Sequence, residues 1–481
     1  MFSLRSYVPW SVPLLAGLLS IGSVPQGLPE RAREEVRALS RDDFDGDGYQ
    51  DLVITAPGAT FHDPDGYALA DRTGAGYVTV LYGGPHGPST NRRVVISRLT
   101  QGVPGGPMDM EQLGAPTFKG DLDGDGYADL VLGGGVRENG AVVVWGGPRG
   151  LLTAGVTRVA DNMPVMGDFD GDGRLDLVLV PAIRRAADAA SPGGAGTIRY
   201  GPLSRSGTPA RESDFADDFR RFDVWDGSVG DVNGDGRDEL TLKGVCGPGA
   251  TVQNTCVRLY SGSASGLGVP GYELPGAAAA VHGDLNGDGY DDVLSGATTD
   301  AGVGTIALGS PGGVRPRDTW TTLDRAVRGT PAAAMLAGRD IGALATGDIT
   351  GDGIDDLAVG LIGTAHGEDG RSDASGAVLV LPGTRTGPTG IGAQLFTPGT
   401  PGMPGTADQG DGFGGSLRLL DLNGDGHADL TVGAPGAGDG DGRVYVLWGR
   451  AEGVVTEAAV MLDGKSVGAQ YTGVQFGSAV R

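Results

Sequence analysis

Asp43-Phe44-Asp45-Gly46-Asp47-Gly48-Tyr49-Gln50-Asp51 runs directly into the apolar stretch Leu52-Val53-Ile54. Acids stand at positions 1, 3 and 5 of this nine-residue segment, with glycines at 4 and 6. Those glycines permit a turn tight enough for the three carboxylates to converge on one point. Position 7 then offers its backbone carbonyl, and the acid at position 9 closes the shell. An all-oxygen set of this kind suits a hard divalent cation, with Asp43, Asp45, Asp47, the Tyr49 carbonyl and Asp51 as the expected ligands.

The pattern recurs six times, at intervals of 47 to 78 residues. The corresponding sets are Asp121, Asp123, Asp125, Tyr127 and Asp129, then Asp168, Asp170, Asp172, Arg174 and Asp176. The fourth is Asp231, Asn233, Asp235, Arg237 and Glu239, and the fifth Asp284, Asn286, Asp288, Tyr290 and Asp292. Asp348, Thr350, Asp352, Ile354 and Asp356 make the sixth; Asp421, Asn423, Asp425, His427 and Asp429 make the seventh. Thr350 is a neutral and weaker ligand, so the sixth loop is expected to hold a cation least tightly. An EF-hand begins in the same way but needs a Glu at position 12 and a helix after it. Position 12 here is Ile54, Leu132, Leu179, Leu242, Ser295, Val359 or Val432, so these loops feed strands instead.

Each loop lies between apolar runs. The run after it is joined by a second that ends in a bulky residue near glycine, such as Val78 to Tyr82, Val142 to Trp145 or Val444 to Trp448. A third, weaker run often closes the unit, as in Val94-Val95-Ile96 and Ala458-Ala459-Val460. With the run ahead of the loop, each unit has about four strands. Seven such units, starting near residues 36, 115, 163, 224, 277, 341 and 414, predict an all-β, seven-bladed β-propeller over residues 36–481. The uneven spacing and the lack of a capping unit argue against a linear solenoid.

Charge supports the metal reading. Positions 1, 3, 5 and 9 of the seven loops hold twenty-four acids, equal in size to the net charge of −24. Without cations they would crowd like charges together and oppose folding. Up to seven Ca²⁺ are therefore expected. So acidic a chain repels a phosphate backbone, which excludes nucleic acid as a partner.

The loops and their surroundings resemble the FG-GAP repeat of integrin α-subunit propellers and their bacterial relatives. The seventh unit carries the fullest match: Phe413-Gly414 for the FG element, Asp421 to Asp429 for the cation loop, and Gly433-Ala434-Pro435 for the GAP element. Thr55-Ala56-Pro57 approaches GAP in the first unit, and the FG element is mostly lost in the middle units. The resemblance implies a propeller with Ca²⁺ at the loops joining the first and second strands of each blade. It does not transfer an integrin's partner, because no leg region or membrane anchor accompanies the repeats.

Residues 1–24 read as a signal peptide, with Arg5 ahead of a short apolar stretch broken by Pro9 and Pro13, so a secreted, extracellular protein is expected. No later segment is suited to span a bilayer. Cys246 and Cys256 flank a short loop, where a disulfide would contribute about 2–3 kcal/mol. Phe476 to Val480 look like the opening strand of an eighth unit. That strand either closes the ring on the first blade or marks the chain as a fragment.

The opposite face is expected to gather the irregular loops: Pro57 to Gly76, Gln101 to Gly114, Pro181 to Gly196, the loop between the cysteines, Arg325 to Asp340, Leu361 to Gly376 and Pro398 to Gly412. Long loops on a rigid frame are the usual seat of recognition. Phe215, Phe219, Phe222 and Trp225 either pack between blades or face a sugar or peptide. No Gly-x-Ser-x-Gly elbow and no His-Glu-x-x-His pair occurs, and the Gly464-Lys465-Ser466 triplet lacks a phosphate loop's first glycine. His62, Asp63 and Asp65 are the one acid–base cluster to weigh. The preferred reading is a monomeric binding or adhesion module for a protein or carbohydrate. A lectin, or the propeller of a polysaccharide- or lipid-degrading enzyme, is the alternative.

Overall fold

The run after each acidic loop forms a strand because its β-branched and leucine side chains meet apolar neighbours on both faces. Leu52–Ala56, Asp129–Leu132 and Asp176–Val180 are buried at every residue. The computed structural model describes residues 42–61, 72–134, 139–160, 163–180, 196–215, 219, 222–246, 255–275, 279–299, 302–363, 375–406, 408–469 and 474–481.

Among the described residues the strands form seven antiparallel sheets, six of four strands and one of three. Blades two to seven begin with the inner strands Thr117–Gly120, Met163–Gly167, Phe222–Gly230, Ala279–Gly283, Arg339–Gly347 and Ser416–Leu420. Blade one takes its inner strand from the other end of the chain. Ala479–Val480 pairs with Leu52–Ala56, Ile54 opposite Val480. The C-terminal strand therefore closes the ring.

Seven apolar clusters follow the same order, one between each pair of neighbouring blades. Val53, Val78 and Val80 of blade one meet Leu130 and Val142 of blade two. Leu52 and Tyr77 meet Val444 and Trp448 of blade seven. The stability of this ring lies in its interfaces, since each sheet buries both faces only when both neighbours are present.

Antiparallel order places the acidic loops, which join first to second strands, on one face with the turns between third and fourth strands. The other connections gather on the opposite face. There Phe413-Gly414 docks on the start of the third strand of blade six, the Phe413 N–H donating to the Ser375 carbonyl at 2.9 Å. Phe476-Gly477 docks in the same way on Asp441, and Leu113-Gly114 on Ala75. The FG element is thus retained in the second unit with Leu113 in place of phenylalanine. Gly76, Gly376 and Gly442 face these backbones so closely that a Cβ would lie 2.5 Å or less from one of their atoms.

One expectation is revised, one open alternative is settled and one expected pairing is found. Blade five has three strands: its outer strand is reduced to the bridge Ile306–Thr321, and short helices at Leu323–Ala326 and Pro331–Leu336 take its place. Leu323, Val327, Ala332 and Leu336 fill the interface with blade six, which the loop expected at Arg325 to Asp340 would have left open. Phe215, Phe219 and Phe222 are buried between blades three and four, with Phe219 edge-on to Phe215, so packing is their role. Cys246 and Cys256 are joined by a disulfide between adjacent strands, their Cα atoms 6.0 Å apart. The signal segment, the His62–Asp63–Asp65 cluster, and most of the loops at 57–76, 181–196, 246–256 and 361–376 lie outside the described residues.

Candidate metal-binding loops

Each position of the nine-residue loop has a distinct job. The position-1 carboxylate is clamped by the turn itself: Asp43 Oδ1 accepts the Gly46 N–H at 2.7 Å and Oδ2 the Gly48 N–H at 2.8 Å. Asp121, Asp168, Asp231 and Asp421 repeat both bonds. Asp284 and Asp348 accept the position-5 N–H on Oδ1 and the position-6 N–H on Oδ2. Gly46 and Gly48 lie at φ +71° and +88°, a region that a side chain disfavours.

Position 9 is the deepest. Asp51, Asp129, Glu239, Asp292 and Asp429 are fully buried at the mouth of the second strand. Asp129 accepts the Leu122 N–H and the Gly146 N–H, both at 2.8 Å, tying the start of its loop to the end of the third strand. Asp51 does the same with Phe44 and Gly83, and Asp429 with Leu422 and Gly449. Burial pushes the Asp176, Glu239 and Asp429 carboxyls up to about 8, Asp292 to about 7 and Asp356 to about 6. Asp51 and Asp129 are raised well above the carboxylate range for the same reason. At position 1, burial raises Asp43, Asp121 and Asp168 to about 6.

Position 3 completes the cluster in the first three loops. Ligand oxygens of Asp43, Asp45 and Asp51 lie within 4.8 Å of one another, as do those of Asp121, Asp123 and Asp129, and of Asp168, Asp170 and Asp176. In loops four and five an asparagine stands there and turns inward: Asn233 Nδ2 donates to Glu239 Oε1 at 3.1 Å, and Asn286 Nδ2 reaches both Asp292 oxygens at 3.4 Å. Asn423 Oδ1 instead accepts the Asp425 N–H at 2.9 Å, and Thr350 donates its own N–H to Asp356.

The position-5 carboxylates lie outside the three triples. Asp47, Asp125 and Asp172 cap the N–H of position 7 in their own turns, as do Asp235, Asp288, Asp352 and Asp425. The side chains at position 7 bridge neighbouring loops. A Cβ on Gly46 would lie 2.7 Å from the Tyr127 ring, and one on Gly424 would lie 2.8 Å from Tyr49. Arg237, Tyr290, Ile354 and His427 cover the glycines of the loops before them in the same way.

Two groups of residues were missed from sequence. Position 8 links the loops into a belt: the Asp238, Asp291 and Asp355 N–H groups donate to the position-1 carbonyls of the preceding loops. Their carboxylates accept the position-1 N–H in return. The doublets Asp238-Glu239, Asp291-Asp292 and Asp355-Asp356 were the available signal. The second group is arginine. Arg92 contacts Asp45 and Asp47; Arg205 reaches Asp123 and Asp125, each at 2.6 Å; Arg211 reaches Asp170 at 2.8 Å. Arg237, Arg315 and Arg450 engage Asp235, Asp288 and Asp425. Arg92, Arg205 and Arg211 also stand over the rings of Tyr82, Trp145 and Tyr200, the bulky residues that end the third strands. The acids of these loops are therefore partly balanced from within the chain.

The donor set fits a hard cation. The triples are all-oxygen, and every carboxylate oxygen that accepts one backbone N–H retains a further lone pair.

A family model described as FG-GAP repeat matches residues 36–81 and 413–447. Integrin alpha pat-2 of Caenorhabditis briggsae is 31% identical over 222 residues, covering 44% of this chain and 16% of that protein. Phosphatidylinositol-glycan-specific phospholipase D of Rattus norvegicus is 37% identical over 114 residues, 23% of this chain and 13% of that protein. The chain thus spans less than a fifth of the length of these relatives. Among solved structures, the Dos1 propeller aligns over 60% of this chain and 59% of its own, at 14% identity and a TM-score of 0.28. The matched segments include the first and seventh acidic loops and the Phe413-Gly414 element. This chain carries FG-GAP repeats in a seven-bladed β-propeller and resembles the propeller of integrin α-subunits.

Proposed function

We propose that the chain is an extracellular, calcium-stabilised propeller that serves as a binding or adhesion module for a protein or glycan. The observation that carries this reading is the division of labour between the two faces. On one face the acidic loops are locked to their neighbours by the position-8 and position-7 contacts. On the other, longer connections between blades, such as Gln101 to Gly114, lie on the same frame. The position 1, 3 and 9 oxygens, with Asp47 and its counterparts and the position-7 carbonyls, would hold the cations. Calcium there supplies charge neutralisation and rigidity. The residues themselves set the turn, tie it to the third strand and orient the carboxylates.

Thermal unfolding with calcium and with a chelator tests the cation. A melting temperature unmoved by chelation removes calcium from the proposal. Panels of immobilised glycans and of extracellular-matrix proteins then separate a lectin from a protein-binding module. The phospholipase D match favours a second reading, the accessory propeller of a lipid-degrading enzyme. Binding to glycolipid vesicles, with no retention on either panel, would select it. No helix among the described residues is long and apolar enough to cross a membrane.

A further inference from the structure

The inner strands of all seven blades enclose a central cavity of about 190 Å³. Its charge opposes that of the chain. Lys119, Arg418 and Arg481 line it with one acid, Asp42, whereas the whole chain carries −24. Lys119 Nζ lies 2.5 Å from Asp42 Oδ1, and Arg418 3.8 Å from the same carboxylate. Arg481, on the ring-closing segment, reaches across to Asp226 of blade four, its Nη2 at 3.2 and 3.1 Å from the two oxygens. Burial works to raise the Asp226 carboxyl, but Arg481 and Lys243 outweigh it and hold it below the ordinary range.

Three donors share one level of the channel. Arg418 stands opposite Thr431, Ser228 opposite Thr241, and Arg481 exchanges backbone hydrogen bonds with Val53. Thr431, Thr241 and Val53 each lie two residues after position 9 of their own blades. Blades seven, four and one thus present Arg418, Ser228 and Arg481 at one height around the axis. Arg481 Nε and Ser228 Oγ are buried and have no hydrogen-bond partner among the described residues. Buried polar groups are nearly always satisfied, and both residues line the cavity, so its wall holds unmet hydrogen-bonding capacity. Guanidinium groups match the oxygens of planar and tetrahedral oxyanions. The volume falls below the roughly 300–1,000 Å³ of pockets for drug-sized ligands, so the acceptor is small.

We propose that the central channel binds a small oxyanion, a carboxylate or a tetrahedral phosphate-like ion, between Arg418, Arg481 and Ser228. The site is independent of the acidic loops and of their cation. Isothermal titration of the full chain in calcium buffer, at constant ionic strength, with sulfate and with acetate up to about 10 mM reads it directly. Saturable one-to-one binding is expected, weakened about tenfold or more by Arg418→Gln and by Arg481→Gln, and severalfold by Ser228→Ala. Tighter sulfate assigns a phosphate-like ligand, and tighter acetate a carboxylate; both support the site. No saturable heat from either ion overturns the proposal, as does unchanged affinity in Arg418→Gln. Arg481→Gln also breaks the pair with Asp226, so if that variant fails to fold, Arg418→Gln, at a half-exposed position, decides.

Discussion

The first three acidic loops and the other four share one backbone and differ chiefly at position 3. Asp45, Asp123 and Asp170 each complete a three-carboxylate cluster and are met from outside by an arginine. Asn233 and Asn286 satisfy the position-9 acid from within the loop. One group of loops concentrates charge, while in loops four and five a neutral amide replaces part of that charge with a hydrogen bond. The difference teaches that the repeat is graded around the ring. Its turn is built around the carboxylates at positions 1 and 9 in every copy, and position 3 decides whether a third carboxylate joins them.

The largest expected effect tests what the two groups share. Asp129→Ala and Glu239→Ala each strip a buried acceptor from backbone N–H groups, and each should cost about 3 kcal/mol in urea unfolding. A near-neutral Glu239→Ala would break the claim that position 9 builds the turn in both groups.

A reciprocal exchange at position 3 sharpens the contrast. In chelator, Asn233→Asp should lose about 1 kcal/mol, because it removes the amide bond to Glu239 and adds a like charge beside it. Calcium should restore that loss. Asp123→Asn should change stability in chelator by about 0.5 kcal/mol or less, since Arg205 keeps Asp125, and should lower the calcium response. Equal calcium responses in the two variants would count against the grading.

A control lies outside both groups. Asp226 has a folded value held below the ordinary carboxylate range, so its pairing stabilises the chain above the unfolded value of about 3.9 and is lost as pH falls through the lower folded value. Asp226→Asn should cost about 1 kcal/mol at neutral pH, the pair being partly exposed, and progressively less as pH falls below about 3.9. The loss should be the same with calcium and with chelator; a difference would couple the channel to the loops.

Much of this architecture was legible in sequence. The seven loops, the strands that follow them and the rejection of a helix after the loop come from patterns complete within about a dozen residues. The outer strand of blade five was not. Leu323, Val327, Ala332 and Leu336 satisfy helical spacing, but only the interface with blade six makes the helix the better way to bury them. Leu113-Gly114 escaped notice as an FG element because its identity lies in where it docks, on Ala75, and not in its residue types. The arginines were invisible as loop residues because Arg205 is 82 positions from the Asp123 it engages.

The sequence by itself determined the turn. The position-1 carboxylate finds N–H partners at positions 4 to 6 and the position-9 carboxylate one at position 2 of the same loop, and glycine supplies the dihedral angles, so the turn itself requires no distant residue. Only the tertiary structure decided how seven such turns become a belt, which arginine balances which loop, and that Ala479–Val480 completes blade one. Those outcomes depend on distances between segments far apart in the chain, set by the packing of one blade on the next. The loops that announced a cation-binding propeller are thus local objects. The ring that holds them, and the charged channel at its centre, exist only through closure.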